Sequence, residues 1–349
     1  MFIVGLGSAT PRNRFTQGEC WDALMGSPQF SNLSGRSKAI LKKVLLGENG
    51  IDTRYLSFDH LSEAFAIDPD TLHRRFAKNA PVVAAEAAKR ALESAGKKAE
   101  EVDALLISTC TGYLCPGLTS YVSEALGMRA DAVCLDLVGQ GCAAAVPNLG
   151  TADAFIARGA KTTLSICVEI CSAAFYLDDD PGVLISACLF GDAAGAVVCS
   201  SASSGPRPLK WLGWQTSLDP KNRDLLRFEQ RHGMLRNVLD KSVPCLVVEQ
   251  AREVLARGLA VNQMERSQIV NWVLHSGGRD VLAALRSGLE LNEHDIAHSV
   301  EILRQYANVS SASVILTLQR VLAFDAPRGY WWLSAFGAGI SCHGAFLEG

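Results

Sequence analysis

Apolar runs of strand length, broken by glycine and by short polar stretches, recur along the chain and set out its elements. Phe2 to Gly7 is a small-and-apolar run closed by Thr10-Pro11, the pattern of a buried strand. A polar region punctuated by Gly and Ser follows and reads as helical; it carries Arg36, Lys38, Lys42 and Lys43. Gly50 to Tyr55 reads as a turn into a short extended segment. Pro81 to Ala95, rich in alanine and stopped by Gly96, predicts a helix. Ala104 to Ser108 predicts a strand, and Tyr121 to Leu126 lies in a further helix. DAVCLDL (131–137) reads as a buried strand and AVPNLGTADAFIARG as a helix that ends at Gly159. Thr162 to Glu169 is another buried strand, and an acidic turn at Leu177 to Asp180 leads through Leu184 to Leu189 into FGDAAGAVVCS.

Between Ser200 and Pro208 the composition turns to Ser, Gly and Pro, which places a boundary between residues 1–203 and 204–349. The second part repeats the first. Strand ALLIST leads after about thirty residues to Cys142 at a helix start, and VNWVLHS leads at a similar interval to Asn308 and the helix SSASVILTLQRVLA. Both parts close alike, with FGDAAGAVV after Phe190 and FGAGISCHGAFL after Phe336. The pattern predicts a duplicated α/β unit with helices covering both faces of each set of strands. Chance likeness of two glycine-rich closings is the alternative.

At 349 residues, 48% hydrophobic and 20% charged, the chain can bury one large core or two medium ones. A net charge of -3 without long charged blocks argues against nucleic acid and acidic membrane as partners. The eleven cysteines are scattered through apolar segments rather than spaced as CxxC pairs. That argues for reduced thiols in the cytoplasm, and against both a disulfide framework and a metal site. The opening apolar run is short for a signal peptide, and nothing approaches a membrane span.

One cysteine stands apart. Cys142 lies at a strand-to-helix turn, where unsatisfied N–H groups favour an anion and lower a thiol's pKa, and Gly139 and Gly141 keep its approach open. In a duplicated fold the equivalent loops of the two halves meet, so Cys142, His275 and Asn308 can converge. Of seven histidines, only His275 follows a strongly apolar strand and precedes Gly277-Gly278. Each has a plainer reading: a buried small residue, a structural histidine, a helix N-cap. Together they fit one chemistry, in which a thiolate accepts an acyl group while His and Asn donate to an oxygen bearing enolate charge. Loss of carbon dioxide would make the carbanion without a carboxylate base, so Glu169 and Asp192 are expected to be structural.

The string MFIVGLGSATP, GIDTRYL, the run from Asp103 to Gly112, GQGCAAAVPNL, LFGDAAGA, LHSGGRDVL, YANVSSASV and AFGAGIS resembles the thiolase superfamily over essentially the whole chain. Within it the chain is similar to the chalcone/stilbene synthase family of type III polyketide synthases. The HSGGR form favours that family over the ketoacyl-ACP synthase III enzymes, to which the closing FGAGISCHGAF is nearer. The resemblance implies a thiolase-like fold with a duplicated five-layered αβαβα architecture, and an acyltransferase that condenses acyl-CoA with malonyl-CoA to a pyrone or phenolic product. It implies no resident cofactor, CoA thioesters being substrates, and a homodimer, with an ACP as a possible partner. By it Cys142 is the acyl-bearing nucleophile, and His275 and Asn308 drive decarboxylation.

The same resemblance makes Phe190 a gatekeeper between the CoA tunnel and the cavity, and Gly277 part of the substrate wall. A second gatekeeper position aligns near Arg236, which would line the tunnel with a cation suited to an anionic starter or to CoA. Cys110, Thr111 and Ala174 match positions that set cavity size, and their small side chains favour a roomy cavity or a long starter, tight packing being the plainer explanation. Cys115 takes the place of a residue that reaches into the neighbouring subunit. Asp52 falls where the family has a CoA-binding lysine, leaving Lys42, Lys43 and Arg54 as substitutes. A single condensation on an ACP-bound malonyl group, a Cys/His thioesterase and a silent acyl-binding subunit are the rival readings.

Overall fold

The computed structural model describes every residue except 206, which falls inside the expected boundary, and 325. In the first half, β1 (Phe2–Ala9) and β2 (Arg14–Thr16) are followed by α1 (Gln17–Met25), α2 (Pro28–Asn32), α3 (Gly35–Leu46), β3 (Thr53–Tyr55) and the long α4 (Pro69–Ala95). Then come β4 (Ala104–Thr109), α5 (Leu118–Leu126), β5 (Val133–Val138), α6 (Ala145–Ala157), β6 (Thr162–Glu169), α7 (Pro181–Leu189) and β7 (Ala193–Ser200). The second half runs β8 (Leu209–Leu218), β9 (Leu226–Arg231), β10 (Met234–Leu239), α8 (Val243–Asn262), β11 (Ile269–Leu274), α9 (Arg279–Gly288), α10 (Glu293–Tyr306), α11 (Ser313–Ala323), β12 (Tyr330–Gly337) and β13 (Ser341–Glu348).

Nine strands form one sheet in the order β11-β12-β13-β8-β1-β7-β6-β4-β5. β4 runs parallel to β6, β6 antiparallel to β7, and β7 antiparallel to β1. The second half repeats this pairing: β11 is parallel to β12, β12 antiparallel to β13, and β13 antiparallel to β8. The two sets join where Phe2 pairs with Lys210 and Ile3 with Leu209. Three buried clusters then give the five expected layers. α4 and α5 cover one set of strands, with Ala84, Ala88 and Val122 against Leu105, Leu164 and Val198. α8, α9 and α10 cover the other, with Val247, Ala251 and Leu282 against Trp272, Trp332 and Phe346. α6 and α11 lie between, where Val146, Leu149, Val314 and Leu318 meet Leu106, Val197, Val273 and Leu333. The two central helices are those that follow Cys142 and Asn308 in the chain.

Three expectations change. α4 starts at Pro69, not Pro81: Asp68 accepts from Thr71 N at 2.9 Å, and Pro81 is absorbed inside the helix. The stretch LHRRFAKN looks solvated, yet Leu72, Arg75 and Phe76 turn inward. β5 is an exposed edge strand rather than a buried one, because only β4 pairs with it; Val133 is 44% and Val138 58% exposed. β9 and β10 form a separate hairpin that the apolar pattern did not predict. Its signal is the turn His232-Gly233, with φ of 52° and 76°, between alternating runs.

Candidate active site

Cys142 sits in a single 3-10 turn, Gly141–Ala143, between β5 and α6. The chain enters this turn through Gly139 (φ 89°) and Gly141 (φ 57°), conformations that suit glycine. A Cβ on Gly141 would lie 2.9 Å from Ala338 Cβ, and one on Gly337 would lie 2.6 Å from Ala143 N and 2.9 Å from Cys142 N. The turn is therefore clamped by the end of β12, from the opposite half.

Asn308 is fixed by a backbone bridge to Phe190: its N–H donates to Leu189 O at 2.9 Å, and Gly191 N–H donates to its carbonyl at 3.0 Å. Its Oδ1 accepts from Ser310 N at 2.9 Å, two residues on, while Nδ2 donates to Gly277 O at 3.1 Å; the cap position of the turn that follows is held by Val309, so Asn308 is not the N-cap of the plainer reading. His275 is 1% exposed, with its ring centroid 4.8 Å from that of Phe336 in an edge-to-face arrangement and its Nδ1 bonded to Ser313 Oγ. Its Nε2 faces Gly277, where an added Cβ would come within 3.2 Å of it. Ser310 Oγ stands 3.3 Å from Cys142 Sγ. A continuous run of contacts, His275–Gly277–Asn308–Ser310–Cys142, thus brings the three expected residues together from both halves.

Burial pulls the His275 imidazole down to about 3, so the ring is neutral. It pushes the Cys142 thiol up to about 12, with hydrogen bonding from Ser310 as a weaker opposing effect. This corrects the expectation of a lowered thiol. The helix start is present, but loss of water outweighs it.

A narrow cavity of about 110 Å³ opens at Cys142 and is lined by Cys110, Thr111, Ala174 and Phe190 among others. Other residues stand apart from it. Arg236 does not line the cavity; it is ion-paired to Asp178 at 2.9 Å, Glu229 at 3.2 Å and Asp180 at 3.3 Å. The next residue, Asn237, faces the cavity instead and donates to Ser186 Oγ at 3.0 Å, with Phe228 across the hairpin. Arg54 is buried and spends its guanidinium on Gln17 Oε1 and on the carbonyls of Ala187 and Phe190, which removes it as a CoA contact. Lys42 and Lys43 are exposed on α3. Cys115 is exposed and does not line the Cys142 cavity.

Two carboxylates expected to be structural differ in kind. Asp192 ties Ser172 N and Ser57 N at 2.8 Å each, a crosslink between loops. Glu169, fully buried and raised in pKa by that burial, accepts from Cys110 N and Thr111 Oγ1 at 3.0 Å and from Ser311. It also lies 3.2 Å from Ser310 Oγ, one hydrogen bond from the nucleophile. Ser310 and Asn237 border the Cys142 cavity without having been singled out in the sequence, and Glu169, expected to be structural, lies beside it. Among the described residues, no group of three or more His, Cys, Asp or Glu is placed to hold a metal ion, and no helix is long and apolar enough to cross a membrane.

Comparison with known proteins fits this geometry. The N-terminal domain of chalcone and stilbene synthases matches residues 1–203, and their C-terminal domain matches residues 217–348. The 3,5-dihydroxyphenylacetyl-CoA synthase of Streptomyces toyocaensis is 28% identical, over 99% of this chain and 89% of that one. The 1,3,6,8-tetrahydroxynaphthalene synthase of Streptomyces peucetius subsp. caesius is also 28% identical, over 99% of this chain and 92% of that one. In fold, the crystal structure of PKS-I from the brown alga Ectocarpus siliculosus superposes with a TM-score of 0.89 at 23% identity, covering 99% of this chain and 97% of that one.

Proposed function

The chain belongs to the chalcone and stilbene synthases, type III polyketide synthases that act as decarboxylating, condensing acyltransferases, and from that premise we propose that it loads an acyl-CoA starter on Cys142 and extends it with malonyl-CoA. The product cyclises to a pyrone or a phenolic ring. The observation that carries this reading is the run of contacts joining Cys142 to Asn308 and His275 across the two halves.

In loading, the thiol gives its proton to the neutral His275 Nε2 as sulfur attacks the thioester carbon. The C–S bond to CoA breaks, and the departing CoA thiolate takes the proton back. In extension, Asn308 Nδ2 and His275 Nε2–H donate to the thioester oxygen of malonyl-CoA. For that step Ser313 donates to Nδ1, which places the ring proton on Nε2. Loss of carbon dioxide leaves an enolate whose charge lies on the oxygen those donors hold. The enolate carbon attacks the acyl-Cys142 carbonyl, a C–C bond forms, and Cys142 leaves as thiolate. Lys42 and Lys43 supply positive charge for the CoA phosphates, β5 pairs a second copy into a homodimer, and the free thiol suits a reducing, cytoplasmic setting.

The test is purified protein with labelled malonyl-CoA and a panel of starters, following carbon dioxide, intact-protein mass and products together. Cys142→Ala abolishes acylation. Asn308→Ala keeps it while slowing decarboxylation by about 10²–10³-fold. Stoichiometric acylation in Cys142→Ala, or products formed only when an ACP is added, would overturn the reading.

A further inference from the structure

The cavity that opens at Cys142 continues beyond it. Past Ala174 and Phe175 it follows α7, along Val183 and Ala187, to the inner faces of α1 and α3, where Ala23, Leu24, Leu41 and Leu45 line it. This end belongs to none of the five layers. Leu24, Leu41 and Leu45 pack with Trp21, Leu184 and Cys188 in a separate apolar cluster, built by the segment that leaves the sheet after β1.

The groups here that carry charge or amides are already engaged. Arg54 donates to Gln17 Oε1 at 2.8 and 3.1 Å, to Ala187 O at 2.9 Å and to Phe190 O at 3.2 Å. Gln17 Nε2 donates to Cys188 O at 3.2 Å. Ser186 donates to Gly182 O at 2.8 Å and accepts from Asn237. The carbonyls a polar guest would need are thus taken. A carboxylate, a hydroxylated ring or the two amides of a pantetheine arm would be stripped of water here and left without partners. An alkyl chain gives up no hydrogen bond by entering, and each methylene removed from water stabilises it by more than the freedom it loses. The lining carries small side chains at Ala23, Ala174 and Ala187, so the passage is slender rather than closed.

We propose that this branch is the binding site for an unbranched aliphatic starter, its thioester carbon at Cys142 and its tail between α1, α3 and α7. The inference rests on the proposed function and adds the class of starter. Asn237 and Phe228, paired across the hairpin, also border this cavity, Asn237 bonding to Ser186 on α7.

Acylation of Cys142 is timed by intact-protein mass with saturated acyl-CoAs from two to sixteen carbons and with an aromatic acyl-CoA. Rates rise roughly three- to fourfold for each added methylene, to a limiting length, and fall beyond it. Ala23→Phe and Leu41→Phe each lower the ratio of dodecanoyl to acetyl loading at least tenfold, with folding checked by thermal melts. The wild-type length series needs neither variant. Aromatic or acetyl starters loaded as fast as any longer chain would overturn the proposal. So would an unmoved ratio, or equal slowing of every CoA thioester, which would assign the branch to the pantetheine arm. Failure of the underlying reading has a different signature: chains load on Cys142, yet none is extended and no carbon dioxide appears.

Discussion

At the scale of single residues the site is governed by desolvation. With burial pushing the thiol up to about 12 and the imidazole down to about 3, both groups rest neutral at pH 7. A thiol whose pKa is raised ionises tenfold more with each pH unit up to that value. Alkylation of Cys142 by iodoacetamide, followed by peptide mass so that the exposed Cys115, Cys134 and Cys245 are scored separately, therefore accelerates steadily through pH 9 without a plateau. A plateau at or below pH 7 would mean that a resting imidazolium holds the thiolate, and that charge pairing outweighs burial. That Cys142, His275 and Asn308 lie together was legible in the sequence because thiol, imidazole and amide each have a distinctive chemistry and a distinctive place at a strand end or helix start. Ser310 and Glu169 were not. A serine after a helix cap and a glutamate at a strand end are common, and only the meeting of β6 with the start of α11 makes them neighbours of the sulfur.

At the scale of elements the nucleophile depends on a strand from the other half. Gly337 ends β12 against the backbone of the Cys142 turn, and a methyl there meets N–H groups rather than a flexible side chain that could swing aside. Gly337→Ala must displace the turn, so loading falls at least tenfold in kcat/KM while stability drops by about 1–3 kcal/mol. Single-turnover loading and a denaturant melt measure the two effects; unaltered loading would show that β12 does not set the position of the sulfur. The same scale explains the misplaced tunnel residue. On β10 successive side chains face opposite ways, so a slip of one residue exchanges Arg236, held among Asp178, Asp180 and Glu229, for Asn237, which faces the cavity. Alignment of the second gatekeeper position fixes the neighbourhood but not the face, and the hairpin's register with Phe228 decides it.

At the scale of the molecule the five layers were legible because each half spells the same order of apolar strands and helices, and the pairings repeat as that order requires. The edge was not, because an apolar run reads as buried whether its cover is the chain itself or a second copy. β5 leaves Val133, Leu135 and Val138 exposed along an unpaired flank, without the lysine, proline or bulge that usually blunts such an edge. The strand leads directly into the Cys142 turn, so pairing with a second β5 would stiffen the approach to the nucleophile and bring the exposed Cys115 loop toward a neighbour. A charge placed on that flank opposes pairing while leaving the cores of both halves untouched. Light scattering then finds the wild type at twice 37.4 kDa, and Leu135→Glu at 37.4 kDa with slower loading of Cys142. A wild type that stays monomeric at tens of micromolar would assign the apolar edge to some other cover.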